Sequence, residues 1–373
     1  SMPTASDTLQ TVGIECESLE GDHGGVARLT RKLIQQLSSR DDLEGRYHFI
    51  LYFKRAVPAD LRYLDSVVFT TRVFGVPSFS LYYYLFLPLR LWWDRPTFMF
   101  WPNYMLPLIH PPFVRSLVML TDDIYRESRN NKLPFRYRLA YRIFATGWTA
   151  HRADRILAIS ESSRRSLMEE GVAGQRIVVN HLGVDVPERV EPDSGEYLLV
   201  VGQAFPRRHL RETLEAFARI APDRPDLRLE VIGVDKYDPP FFADAMADLN
   251  RRLDRPAVSW RQHVSDDELA SAYAGAQAVV YVSDAEAFGL PPLEALAFGT
   301  PAIVADVPVT REIYGPHAFY VRDTTSEAIA EAMTRSLEDA THRDEIRRVA
   351  PEIVSRFTWR AFTNRFIHHL DQW

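Results

Sequence analysis

The chain of 373 residues has 46% hydrophobic and 25% charged residues, an ordinary globular balance that excludes long disorder and collagen-like repeats, and its length suggests two domains. A formal net charge of −6 lacks the basic footprint of a nucleic-acid partner. The charge is uneven: residues 1–190 hold 24 Lys and Arg against 20 Asp and Glu, whereas 191–373 hold 20 against 30, so the front half is the basic one.

A single cysteine, Cys16, permits no internal disulfide and fits a reducing compartment. The first twenty residues are polar and acidic with no apolar signal core, Ser1-Met2 reads as a cloning remnant, and a cytoplasmic location is the expectation. Strands are predicted at 12–16, 48–53, 97–101, 116–120, 156–159 and 177–179. Gly24-Gly25 precedes a predicted helix over 26–37, and such a loop lets backbone come close to a ligand, although an ordinary turn reads the same way.

Residues 79–93, almost wholly apolar and aromatic, are interrupted by Pro88 and Arg90 and fall short of the ~20 residues of a membrane span. Two readings stand. The segment is either a buried helix of the first domain or an interfacial patch touching a membrane, with Arg136, Arg138 and Arg142 as its basic complement.

A polar stretch at 185–196 with two prolines marks a linker, giving domains at 1–187 and 195–356. Beyond it, β-branched runs at 197–201, 227–232, 278–282 and 302–305 alternate with helical stretches, the grammar of βαβ units around a buried parallel sheet. In 208–221, Leu210, Leu214, Phe217 and Ile220 share one helical face. A terminal helix over 357–373, with Trp359, Phe362, Phe366 and Leu370 on one side, is expected to pack back on the first domain. The fold class is thus α/β, two doubly wound Rossmann-like domains facing across a cleft onto which the strand carboxyl ends open.

The most informative segment is Glu286-Ala-Phe-Gly-Leu-Pro-Pro-Leu-Glu294. Pro291 and Pro292 fit the first turn of a helix, Gly289 allows close approach, and the helix start forms an anion site suited to a diphosphate. Glu286 and Glu294 flank it, and carboxylates accept pairs of hydrogen bonds from sugar hydroxyls. A lone Glu294 would be only a favourable charge near a helix N-terminus; the pairing with Glu286 points to a nucleotide sugar. Arg208 lies just past the strand at 197–201, at another helix start, where phosphate ligands collect.

Glu286 and Glu294, followed by Ala295, Gly299, Pro301 and Glu312, resemble the signature of retaining GT-B glycosyltransferases, the large group that includes bacterial mannosyltransferases. The resemblance is densest over 196–322, is present over 150–185 and in Gly24-Gly25-Val26-Ala27-Arg28, and is thinnest over 40–115. It implies that Glu286 holds hydroxyls of the donor sugar, that Glu294 holds the ribose, and that Phe288, Gly289 and Leu290 make main-chain contacts to sugar and diphosphate. It implies that Gly202 and Arg208 match a glycine and a diphosphate-binding lysine, that Val264 meets the base, and that Gly25 brings the first domain to donor phosphate or acceptor. Arginine keeps the charge and offers phosphate a two-pronged fork, but it is not a neutral exchange for lysine.

One departure is Leu120-Thr121-Asp122-Asp123-Ile124, where many members carry a histidine that contacts the transferred sugar. Asp122 stands there, with Asp123 as the matched aspartate and Asp122 as the replacement if the register moves by one; an ionised aspartate accepts hydrogen bonds or a proton but cannot copy an imidazole donor. No metal and no cofactor are expected: one cysteine and scattered histidines (His23, His110, His151, His181, His263) lack zinc spacing, and Arg208 with the helix start supplies the charge neutralisation.

The expected function is a retaining hexosyltransferase moving a sugar, with a lean to mannose, from a GDP- or UDP-linked donor to a saccharide or lipid-linked acceptor in surface polysaccharide synthesis, with peripheral contact to the inner membrane. Two rivals are a non-catalytic nucleotide-binding relative, motivated by Asp122, and a sugar-nucleotide epimerase or phosphorylase.

Overall fold

The computed structural model describes residues 9–21, 24–64, 68–130 and 134–373; His23 and the first eight residues lie outside them. Two compact units result. One runs to Leu182 and takes in Trp359–Trp373; the other is Gly183–Thr358. The boundary precedes the polar stretch at 185–196 because Val184 N–H donates to Phe357 O (2.7 Å) and Val184 bridges Thr358, fastening that stretch to the second unit.

Short apolar runs with both faces covered form parallel strands. In the first unit these are β1 (Gln10–Glu15), β2 (Tyr47–Phe53), β3 (Phe69–Val73), β4 (Phe98–Trp101), β5 (Arg115–Met119), β6 (Arg155–Ala158) and β7 (Ile177–Val179), in the order β3-β2-β1-β4-β5-β6-β7. The second unit repeats the scheme with β8 (Tyr197–Val201), β9 (Arg228–Ile232), β10 (Val258–Arg261), β11 (Ala278–Tyr281), β12 (Ala302–Ala305) and β13 (Phe319–Val321), ordered β10-β9-β8-β11-β12-β13. All pairings are parallel, for example Val279 beside Leu199 and Ala302. Each sheet therefore reverses its winding beside its first strand, between β1 and β4 and between β8 and β11, and such switch points open a crevice at the strand carboxyl ends.

Three strands have no counterpart in the sequence reading: β3, β10 and β13. All three are sheet edges, and β3 and β10 are partly exposed, so their composition lacks the uninterrupted apolar run of a central strand.

The helix Leu210–Ile220 buries Leu210, Leu214, Phe217 and Ile220. The terminal helix Trp359–Asp371 lies in the first unit: Phe366 meets Phe100 at 5.2 Å between ring centroids, Trp373 meets Phe98 at 5.3 Å, and Asn180 Nδ2 donates to Phe362 O at 3.0 Å. The aromatic segment forms one continuous helical stretch, Phe79–Leu81, Tyr82–Phe86 and Leu87–Asp94, the middle part π-helical. Tyr82, Tyr83, Leu87 and Leu91 point into the core while Leu81, Leu85, Leu89 and Trp93 face solvent, so the segment has both an inner and an outer apolar side.

At the carboxyl end of β1, Glu15 is fully buried. Its Oε1 accepts from Tyr82 Oη at 2.9 Å and from Glu17 N–H at 2.8 Å, but burial still pushes its pKa from 4.5 up to about 8. A carboxyl whose folded-state pKa is raised contributes its full stability below the unfolded value and loses it as pH climbs through the folded one. Stability should therefore fall between pH 4.5 and about 8. Glu15→Gln, which keeps the shape without the charge, is expected to flatten that fall in denaturant titrations at pH 5 and pH 8; an unchanged pH dependence would contradict the assignment.

Candidate donor site

The site is built at the switch point of the second sheet, where the loops leaving β8 and β11 meet. After β8 the chain passes Gly202, at φ 112°, and enters a single 3-10 turn, Pro206–Arg208. A Cβ on Gly202 would lie 3.0 Å from Arg208 Nη1, so the glycine clears space for the guanidinium as well as supplying the backbone angle. His209 follows in the left-handed region (φ 49°, ψ 42°) and opens the helix Leu210–Ile220; histidine tolerates that conformation better than most side chains.

After β11 the chain runs through Ser283, Asp284 and Glu286 to Gly289, whose φ of 84° starts the helix Leu290–Ala297. With Pro291 and Pro292 in the first turn, the N–H groups offered there are those near Gly289, Leu290 and Leu293. The prolines set the helix direction and also remove two donors, so the donors that remain at the helix start lie mainly at the Gly289–Leu290 corner.

Side chains tie the loops together. Arg208 Nε donates to Glu286 Oε1 at 2.8 Å, Nη1 donates to Gln203 O at 2.9 Å, and the guanidinium lies 5.1 Å from the Tyr281 ring centroid. Ser283 Oγ donates to the same Glu286 oxygen at 3.1 Å, and Arg207 Nε lies 3.7 Å from it. His209 Nε2 meets Asp284 Oδ2 at 2.6 Å, and Asp284 N–H donates to Arg207 O at 3.1 Å. Burial pulls the Arg208 pKa down, but Tyr281 and Glu286 outweigh it and hold the value above the ordinary one. Burial, reinforced by the Glu286 charge, pushes the Tyr281 phenol well up, so it stays neutral. The result is a fixed cation beside a carboxylate with lone pairs to spare.

The other sequence-derived residues take distinct places. Phe288 is buried and packs edge-on to Phe357 at 5.9 Å, so its side chain belongs to the core and its main chain lies in the loop. Glu294 Oε2 accepts from Tyr273 Oη at 2.9 Å, and Val264 packs against the apolar cluster that includes Tyr273 and Ala295. A narrow pocket is lined by Tyr281, Ser283, Glu286, Gly289 and Thr310 among others.

Asp122 and Gly25 belong to the first unit. Gly25 is exposed at the start of the helix Gly25–Ser38 with open space where a Cβ would be. Asp122 follows β5 and accepts from Ser163 Oγ at 2.8 Å; burial raises its pKa although that hydrogen bond pulls the other way. Asp123 is instead bonded by the Thr121 hydroxyl. Among the described residues, no three His, Cys, Asp or Glu side chains converge to hold a metal ion.

Tyr281, Ser283 and the His209–Asp284 pair are absent from the sequence-derived set. The available signal was His209 itself, one of the few non-glycine side chains at ease in the left-handed region.

Residues 185–352 match the family model of glycosyl transferases group 1. The serotype-specific mannosyltransferase WbdA of Escherichia coli is 30% identical over 211 residues, 49% of this chain, and that match spans 25% of WbdA, so the chain corresponds to about a quarter of that relative. The O-antigen chain mannosyltransferase RfbU of Salmonella typhimurium is 28% identical over 253 residues, 66% of this chain and 65% of RfbU. Among solved structures, HepE of Anabaena in complex with UDP and glucose superposes with a TM-score of 0.69 at 16% identity, covering 98% of this chain and 100% of HepE, a likeness of fold. The two parallel sheets are those of the GT-B fold, and residues 185–352 are similar to the group 1 glycosyl transferases.

Proposed function

We propose that the protein transfers a hexose from a nucleoside diphosphate sugar to an acceptor hydroxyl, with retention at the anomeric carbon. The observation that carries this reading is the Arg208–Glu286 pair beside the Gly289–Leu290 corner. As the bond between the anomeric carbon and the diphosphate breaks, negative charge grows on the leaving phosphate, and a preorganised cation and N–H groups stabilise it without reorganising. Glu286, with Oε1 already held, has lone pairs left for hydroxyls of the departing sugar, and Glu294 is assigned the ribose. The acceptor hydroxyl attacks on the face the diphosphate leaves, and its proton passes to a departing phosphate oxygen. Asp122, made more basic by burial, is assigned to accept a hydrogen bond from a sugar hydroxyl other than the attacking one.

Mannose is the preferred sugar because WbdA and RfbU are named mannosyltransferases, and GDP the preferred carrier because a Xanthomonas campestris relative is named a GDP-mannose:cellobiosyl-diphosphopolyprenol alpha-mannosyltransferase. The acceptor is a saccharide or a lipid-linked sugar in cell-surface polysaccharide synthesis, met at the inner face of the membrane.

Removing either partner of the pair separates binding from turnover. Arg208→Ala should lose both affinity for nucleoside diphosphate and transfer, the latter by about 10²–10³-fold. Glu286→Gln should lose transfer to a similar degree yet keep nucleoside diphosphate affinity, since the anion replaces the carboxylate beside Arg208. Near-normal transfer by both variants would overturn the assignment. Thermal-shift measurements address the carrier: a ligand at about 100 times its Kd adds about 2.7 kcal/mol to stability, and GDP and GDP-mannose should raise Tm more than UDP and UDP-glucose. The reverse order would rule out the GDP-mannose reading.

A further inference from the structure

Exposed large apolar side chains are distributed very unevenly. Of seventeen among the described residues, twelve lie between Leu81 and Ile143, whereas the whole of Gly183–Thr358 contributes only Val186. Single exposed apolar residues are normal; a concentration on one face is not.

Two helical stretches carry it. On the first, Leu81, Leu85 and Leu89 recur every fourth residue on the outer side, continued by Trp93, which is 81% exposed. The second runs through Phe135–Ala140, Tyr141–Thr149 and Ala150–Arg152, and there Phe135, Leu139 and Ile143 recur with the same spacing, all exposed. The two stretches adjoin: Tyr84 and Phe144 lie 6.0 Å apart between ring centroids, and Trp148 Nε1 donates to Pro107 O at 3.4 Å, beside exposed Leu108 and Ile109.

The charge on this face has one sign. Residues 134–152 contain Arg136, Arg138, Arg142 and Arg152 and no Asp or Glu, whereas Arg90 of the first stretch is paired with the buried Asp94 at 3.0 Å, so the positive charge of the face comes from the second stretch. Arg136 lies over the Tyr137 ring at 4.8 Å and Arg152 over the Trp148 ring at 5.2 Å, so cationic heads stand beside amphipathic rings. Apolar side chains flanked by arginines, with Trp and Tyr between them, match the layering of a bilayer surface: acyl boundary, ring-compatible interface, anionic headgroups. No helix among the described residues is long and apolar enough to cross a membrane, so contact from this face would lie in the interface plane.

We propose that this two-helix face of the first unit seats the protein on an anionic lipid bilayer, the apolar stripes entering the headgroup boundary and the arginines pairing with lipid phosphates. The inference rests on the reading above in one respect, that the acceptor is met at a membrane. A second copy of the chain could also cover an apolar face, but an arginine-bearing surface without acids repels its own kind.

The test is sedimentation with vesicles of phosphatidylcholine alone and of phosphatidylcholine with phosphatidylglycerol, without any sugar nucleotide. Binding to the anionic vesicles, weakened by salt and lowered at least about tenfold in Leu89→Ser/Trp93→Ser and in Arg136→Gln/Arg142→Gln, is the expected result. No binding to anionic vesicles at low salt would overturn the proposal, as would a concentration-dependent dimer that Leu89→Ser/Trp93→Ser dissolves while vesicles bind both forms alike. Nucleotide thermal shifts on the same variants report that they fold, since the substituted side chains are exposed. Donor turnover without lipid separates the two ideas: lost turnover with intact vesicle binding sinks the enzymatic reading alone, and intact turnover without vesicle binding sinks the membrane proposal alone.

Discussion

The ion pair between Arg208 and Glu286 joins two loops that are far apart in sequence and adjacent at the switch point in the middle of the sheet, and the arrangement of the site depends on it. Both side chains are mostly buried, with exposures of 19% and 15%. Breaking such a pair by removing one partner leaves a poorly solvated charge, so each loop is held by the other. The bond from Asp284 N–H to Arg207 O and the contact of His209 with Asp284 make the same connection at its flank. On the proposed function, a diphosphate at the Gly289–Leu290 corner would meet a cation already fixed in direction, so little ordering would remain to be done on binding.

The use of arginine where the family pattern has lysine follows from its surroundings. A guanidinium is a plane, and here it has Tyr281 on one side at 5.1 Å and Phe205 at 5.7 Å, with Gln203 O and Glu286 taking separate donors. An ammonium would have neither the stacking surface nor a second, fixed donor direction. The small residue Gly202 completes the fit, because any side chain there would crowd Nη1. Charge conservation alone thus understates what position 208 requires.

Most of the fold was legible in the sequence wherever strands are central and covered on both faces. The runs at 197–201 and 302–305 coincide with β8 and β12, since continuous β-branched composition is what double coverage demands. The edge strands β3, β10 and β13 escaped because an edge is partly exposed or short, and Phe-Thr-Thr-Arg-Val does not alternate or run apolar. At the site, Glu286, Gly289 and Arg208 were legible because glycine, proline and charge leave local signatures. Tyr281 and Ser283 were not: they close a strand, and only the fold reveals that the strand delivers them to Arg208 and Glu286. Residues 79–93 admitted two readings because the helix has two apolar sides, one packed on the sheet and one facing outward.

The central claim is that the diphosphate of the donor is held by Arg208 together with the start of the helix Leu290–Ala297. A crystal structure of the protein with a nucleoside diphosphate tests it most directly. A terminal phosphate oxygen is expected at about 2.7–2.9 Å from the Arg208 guanidinium, the range of charge-assisted hydrogen bonds, and another facing the N–H groups of Gly289 and Leu290. A diphosphate bound away from Arg208, with the Arg208–Glu286 pair untouched, would contradict it.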